Sequence, residues 1–244
     1  MKVLVAPDKF KGSLSAVAAA EAIARGFLSA WPHAELQIAP IADGGEGFAE
    51  ALCVALEGEW VYTTALDPIG RKVEARYAWI DSQKLAVIEM SEASGLWRLQ
   101  SEERDPLRAT TFGTGQLMRH ATARGARTIL VGLGGSATTD GGIGMAQALG
   151  YEFLTAAGEP ISTPGHLQTL GQIRTGNALV LPQVIAACDV QNPLLGERGT
   201  SFVFAPQKGA DPKTVELLEE GMRSLAEVVT RELGCDFREA AGAG

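Results

Sequence analysis

Through the first sixty residues, apolar positions fall into short runs closed by turn residues; after that the spacing changes character. Residues 2–6, "KVLVA", make a Val/Leu-rich run stopped by Pro7, the pattern of a buried strand. Ser13 or Ser15 can cap a helix that runs to about Trp31, where Pro32 closes it. Residues 36–41 repeat the strand pattern, and "DGGEG" at 43–47 leads into a helix ending near Leu56. Strand, loop and helix in succession, with a glycine-rich loop in the second pass, predict an α/β fold with parallel strands. From Glu59 onward, residues 59–66, 72–80 and 84–90 alternate or run apolar between the turn signals Asp67-Pro68 and Ile69-Gly70, which predicts a β-rich segment. Helical periodicity returns at 114–124, followed by a buried strand at 127–133 and a short helix at 143–149. Strands are expected at 183–188 and 201–205, and a long amphipathic helix over 212–233. A soft domain boundary falls between residues 64 and 70.

Composition sharpens this picture in a few places. The 244 residues are 46% hydrophobic and 20% charged, enough to bury the core of one large domain or two smaller ones. The 29 glycines exceed the usual share of about 7%, and they cluster beside polar residues, as tight loops require. A formal charge of −8 argues against a nucleic-acid binder, which needs a basic face, but leaves room for a small anion held by two or three lysines. Cys53, Cys188 and Cys235 form no CxxC pair, so neither a disulfide framework nor a zinc site is expected. No apolar run approaches about 20 residues, and the start does not read as a signal peptide; a cytoplasmic protein without membrane contact is expected.

The candidate chemistry lies in the loops. "GLGGSATTDGG" at 132–142 follows a predicted strand and combines glycines with Ser136, Thr138, Thr139 and Asp140. Glycine lets the backbone approach a ligand and converge its N–H groups on an oxyanion, while the hydroxyls and carboxylate suit phosphate oxygens or a magnesium ion. Gly132-x-Gly134-x-x-Ala137, with Glu152 twenty residues beyond Gly132, also matches a degenerate dinucleotide fingerprint, although no helix begins inside it. No Gly-Lys-Ser or Gly-Lys-Thr occurs, so a triphosphate P-loop is excluded. "PDKFKGS" sets Asp8, Lys9, Lys11 and Ser13 between a strand end and a helix start, and "ATTFGTG" places Thr114 before another helix. Asp189, with Asn192 three residues on, leaves the end of an apolar strand, and Lys208 follows a further apolar run. His33, His120 and His166 share no metal-ligand spacing, and no GxSxG elbow appears, so nucleophilic hydrolase chemistry is unsupported.

Taken in order, "APDKFKGSLSA", "ADGGEG", "IEMSEASGL", "ATTFGTGQL", "GLGGSATTDGGIGMAQALG", "AACDVQNPLLG" and "FAPQKGA" resemble the bacterial type I glycerate kinases across the whole chain. One departure is Lys9, where the family usually has Ser. The resemblance implies ATP-dependent phosphorylation of D-glycerate to 2-phosphoglycerate, with ATP and Mg2+ as cofactors. It also implies two α/β domains, one inserted in the other, with the active site between them. Residues 1–65 would be the N-terminal part of a Rossmann-like outer domain, and residues 66–244 the inserted mixed-sheet domain. The family pattern continues past "AAGAG" at the end of the chain, so the resemblance makes this a shortened member, and a homodimer is compatible with it.

Within that reading Lys11 or Lys208 would meet negative charge and Asp189 would serve as base or magnesium ligand. Asp140 would be a second magnesium ligand. Asp43 and Glu46 would contact metal or substrate hydroxyls, with Asp8, Ser13 and Asn192 also on the substrate. Thr114, Gly134, Gly135, Ser136, Thr138, Thr139 and Asp140 would hold the nucleotide. The alternatives are a nicotinamide-dependent dehydrogenase using Gly132 to Ala137, and a nucleotide- or sugar-acid-binding protein without catalysis.

Overall fold

The computed structural model describes residues 1–10, 13–42 and 45–244. At its centre, β3 (Glu59–Leu66), β4 (Lys72–Ile80), β5 (Leu85–Glu89), β6 (Thr128–Gly132) and β9 (Gln183–Ala187) hydrogen-bond in that order. The pairings β3–β4 and β4–β5 are antiparallel, whereas β5–β6 and β6–β9 are parallel. Alternation along β4 explains how one sheet carries two cores. Tyr77 and Trp79 pack on one face with Leu117, Met118 and Ala121 of α4 (Phe112–Ala123). Ala78 and Ile80 pack on the other with Phe48, Ala49 and Cys53 of α2 (Phe48–Ala55).

Three pieces frame this sheet. The first is N-terminal: β1 (Lys2–Val5) and β2 (Glu35–Ile38) form a parallel pair beside α1 (Ala16–Ala30). The Ser15 hydroxyl caps α1 by accepting from the amide of Ala18 at 3.2 Å. The second is a short connection, α3 (Ser91–Ser94), directly after β5. The third follows α5 (Ile143–Ala148): β7 (Glu152–Thr155) and β8 (Leu170–Arg174) pair antiparallel and pack through Phe153 and Ile173 on Met222, Leu225 and Val228 of α7 (Pro212–Leu233). Asp211 caps α7, accepting from the Thr214 amide at 2.8 Å, and Gly234 ends it in the left-handed region.

Two expectations change. The strand expected at 201–205 is instead helical, α6 (Thr200–Phe204), since so short an apolar run carries too little periodicity to separate a strand from a buried helical turn. The β7–β8 hairpin has no counterpart among the predicted strands. All of β3, from Glu59 on, pairs with β4 in the central sheet.

Parallel strands are ordinarily covered on both faces. Here Leu4 of β1 is 62% exposed, and Ile38 together with Ile23 and Trp31 beside them is also open. The N-terminal pair should therefore open at lower free energy than the central sheet. Amides of β1 and β2 are expected to exchange with deuterium at least about tenfold faster than those of β5 and β6; equal protection would refute this.

Candidate active site

The carboxyl ends of β5, β6 and β9 open into a cleft of about 1430 Å3, lined also by residues at the start of α2, by Lys9 and Phe10, and by residues 13–16. Its floor is the 134–142 loop after β6. Asp140, 2% exposed, organises that loop. Its Oδ2 accepts from the amide and hydroxyl of Thr111, both at 2.8 Å, and from the Gly144 amide at 3.2 Å, while Oδ1 accepts from the Gly142 amide at 3.0 Å. Thr111 Oγ1 in turn accepts from the Met145 amide at 2.8 Å. One carboxylate thus ties the loop to the starts of α4 and α5. At Gly144 a Cβ would lie 2.8 Å from the Phe112 nitrogen, which explains the glycine.

Lys208 reaches the same loop from the turn after α6 and is 6% exposed. Its ammonium donates to Ser136 Oγ at 3.0 Å and to the Thr138 carbonyl. Burial pulls its pKa down from 10.5 to about 8, with the Asp140 charge opposing the shift. Thr139 is among the cleft residues, and its Oγ1 is buried with no hydrogen-bond partner among the described residues. A buried hydroxyl left unpaired calls for a partner, and a ligand oxygen is one that would satisfy it.

The cleft brings together Ser13, Glu46, Thr114, Gly134, Gly135, Ser136, Thr138, Thr139, Asp140, Asp189 and Lys208. Asp189 follows β9, is exposed, and makes no hydrogen bond or ion pair among the described residues. Thr114 is buried, with its hydroxyl 2.8 Å from that of Ser94. Two expected residues are not among those lining the cleft, although their neighbours Lys9, Val190 and Leu194 are. Asn192 donates to the Arg198 carbonyl at 2.7 Å and does not line the cleft, and Asp8 accepts from the neighbouring Lys9 amide at 2.6 Å outside the lining. Lys11 and Asp43 lie outside the described residues.

No cluster of three or more His, Cys, Asp or Glu among the described residues could hold a metal ion. The expected ligand Asp140 already accepts from four protein donors, which commits it to the loop. Magnesium is commonly held through one or two carboxylates together with substrate phosphates, and Asp189 fits that more limited requirement.

Glu89 is a residue that the sequence reading passed over. It ends β5, lines the cleft at 7% exposure, and accepts from the Ala49 amide at 2.7 Å at the start of α2. Burial raises its pKa, against the backbone hydrogen bonds from Ala49 and Gly47. The signal was there: a lone acid closing the apolar run "LAVIE" must find a partner.

The structure also removes the dehydrogenase alternative. After Gly134 no helix begins until Ile143, and Glu152 lies on β7, 3.9 Å from Arg174. The fingerprint therefore lacks both its helix and its ribose-binding acid.

Fold and site together define a mixed-sheet α/β protein with a glycine-rich loop and a buried lysine in a cleft at the strand ends. The glycerate kinase family model matches residues 3–244, and the chain belongs to that family. It is 43% identical over 246 residues to a glycerate kinase of Halalkalibacterium halodurans, covering 99% of this chain and 65% of that one. It is 42% identical over 248 residues to the glycerate 2-kinase of Escherichia coli K12, covering all of this chain and 65% of that protein. A crystal structure described as a glycerate kinase 2 from Salmonella typhimurium LT2 superposes with a TM-score of 0.93 at 43% identity, over 100% of this chain and 66% of the other. The chain thus spans about two thirds of the length of these relatives. No helix among the described residues is long and apolar enough to cross a membrane.

Proposed function

We propose that this chain carries the site of an ATP-dependent glycerate kinase, which transfers the terminal phosphoryl group of ATP to D-glycerate to give 2-phosphoglycerate, ADP and a proton. The observation that carries the reading is the buried Lys208 ammonium held against the 134–142 loop. Family membership adds the reaction class, and the name of the Escherichia coli relative adds the 2-hydroxyl.

ATP, when bound, supplies an activated phosphoryl group, and the protein's task is positioning and charge neutralisation. The 134–142 loop would receive phosphate oxygens on its backbone N–H groups and on the Thr139 hydroxyl. Lys208 would offset charge on the transferring group, in surroundings where a cation acts more strongly than in water. Asp189 would take the hydroxyl proton of glycerate or hold magnesium. The test is product analysis after incubation with D-glycerate and MgATP: 2-phosphoglycerate and ADP in equal amounts are expected. ATP binding without product would favour a non-catalytic binding protein instead. A homodimer belongs to the same proposal, and light scattering reads it directly.

Gly135 has φ +73°, and a Cβ there would meet the Ser91 Cβ at 3.3 Å. Gly135→Val is therefore expected to weaken ATP binding at least about tenfold, because a β-branched residue strains that conformation and narrows the approach. Unchanged ATP affinity in calorimetry would remove the loop from the nucleotide site. Ser136→Ala should weaken ATP binding by a few fold, because it takes one hydrogen-bond partner from the buried Lys208.

A further inference from the structure

The cleft has a second kind of lining, built from aromatic rings and guanidinium groups. Trp60, Tyr62 and Arg76 come from β3 and β4, and Trp97 and Arg98 from the turn that follows α3. Trp60 is covered, with the Arg76 guanidinium 3.9 Å from its ring centroid, and Arg76 is held in turn by Glu92 at 3.0 Å.

Trp97 is held in place and yet open. Its Nε1 donates to the Ser91 carbonyl at 3.0 Å, and the Arg98 guanidinium lies 4.4 Å from the ring centroid. Arg98 is itself fixed by donating to the Glu92 carbonyl at 2.6 Å and to the Glu74 carbonyl at 2.9 Å. The indole edge rests against Gly95, where a Cβ would fall 2.7 Å from Nε1. Despite these anchors Trp97 is 62% exposed. An indole oriented by one hydrogen bond and one cation, with its other face uncovered, contributes little to a core and presents a rigid stacking surface.

Its location gives that surface a ligand. Gly95 pairs with Ser136 in an isolated bridge, and the Leu96 amide donates to the Gly135 carbonyl at 2.9 Å. Trp97 therefore stands immediately beside the loop to which the phosphates are assigned. We propose that the open face of Trp97 stacks the base of the nucleotide whose phosphates the 134–142 loop receives. This rests on the kinase reading above and adds the residue that holds the base. Stacking accepts any base, because each has a π-face, so Trp97 supplies affinity and leaves the choice among bases to other groups.

Calorimetry on the 244-residue chain with ATP, ADP and inorganic tripolyphosphate tests the proposal. Trp97→Ala should weaken ATP and ADP about tenfold to a hundredfold and leave tripolyphosphate within twofold of the parent. Trp97→Phe, which keeps a ring, should recover most of the loss. A measurement on the parent alone guards against a poorly folded variant: ATP and ADP should quench indole fluorescence, and tripolyphosphate should not. Equal ATP affinity in Trp97→Ala and parent, an equal loss for ATP and tripolyphosphate, or no quenching by ATP would overturn the assignment while leaving the kinase reading intact. A parent that binds neither ATP nor tripolyphosphate would overturn the kinase reading, and the stacking proposal with it.

Discussion

Replacing Lys208 by methionine is expected to lower turnover roughly 10²–10³-fold, the range seen when a preorganised group facing developing charge is removed. The fold should survive. Methionine nearly matches the length of the side chain, and the partners left behind, the Ser136 hydroxyl and Thr138 carbonyl, are neutral. The pH dependence separates this role from simple packing. Because the folded pKa is lowered to about 8 from 10.5, the folded chain holds fewer protons than the unfolded chain between those values. Stability should therefore rise with pH across that window, by on the order of 3 kcal/mol in full, and fall again as pH drops through about 8. Anion binding should move the opposite way, weakening as the ammonium loses its proton. In Lys208→Met both slopes should flatten, as read by thermal unfolding and by tripolyphosphate titration from pH 7 to 10. Parent-like turnover in the variant would take Lys208 out of the mechanism.

Asp189→Asn should lower turnover by roughly 10²–10⁴ if the carboxylate accepts the glycerate proton. An exposed side chain without a hydrogen bond or ion pair among the described residues has little structural work to do, so the melting temperature should stay within about 1–2 °C of the parent. The substitution keeps shape and removes charge, which separates the two roles left open for this residue. Loss of a base lowers turnover at every magnesium concentration, whereas loss of a metal ligand is relieved as magnesium is raised. Steady-state kinetics with D-glycerate across a magnesium series reads the difference. Turnover matching the parent at all magnesium concentrations would exclude both roles.

Most of the architecture was legible because its signals are local. The turn at Asp67 to Gly70 separates two strongly β-patterned runs, and β3 and β4 lie where that pattern puts them. Pro212 and Gly234 bracket α7 as helix punctuation should. What escaped depends on distant partners. Glu152–Thr155 and Leu170–Arg174 are four and five residues long and become a hairpin only against α7, and residues 200–204 become helical in the same neighbourhood. The site shows the same division. Residue types at 134–142 mark a cradle for oxygens, yet nothing in the sequence says that Asp140 is occupied by Thr111, Gly142 and Gly144. Nor does it say that Glu89 closes the start of a helix forty residues behind it.

That last contact bears on the order in which a ribosome delivers the chain. Phe48, Ala49 and Cys53 emerge well before Ala78, Ile80 and Val87, against which they pack, and Ala49 precedes its carboxylate acceptor by 40 residues. At about 5–20 residues per second, α2 waits roughly 2–8 s for Glu89 during synthesis. Through that interval its apolar face has no sheet to lie on. A helix made before its sheet thus consolidates only after it, and a nascent chain paused before residue 89 should be a better chaperone client than one paused after β6.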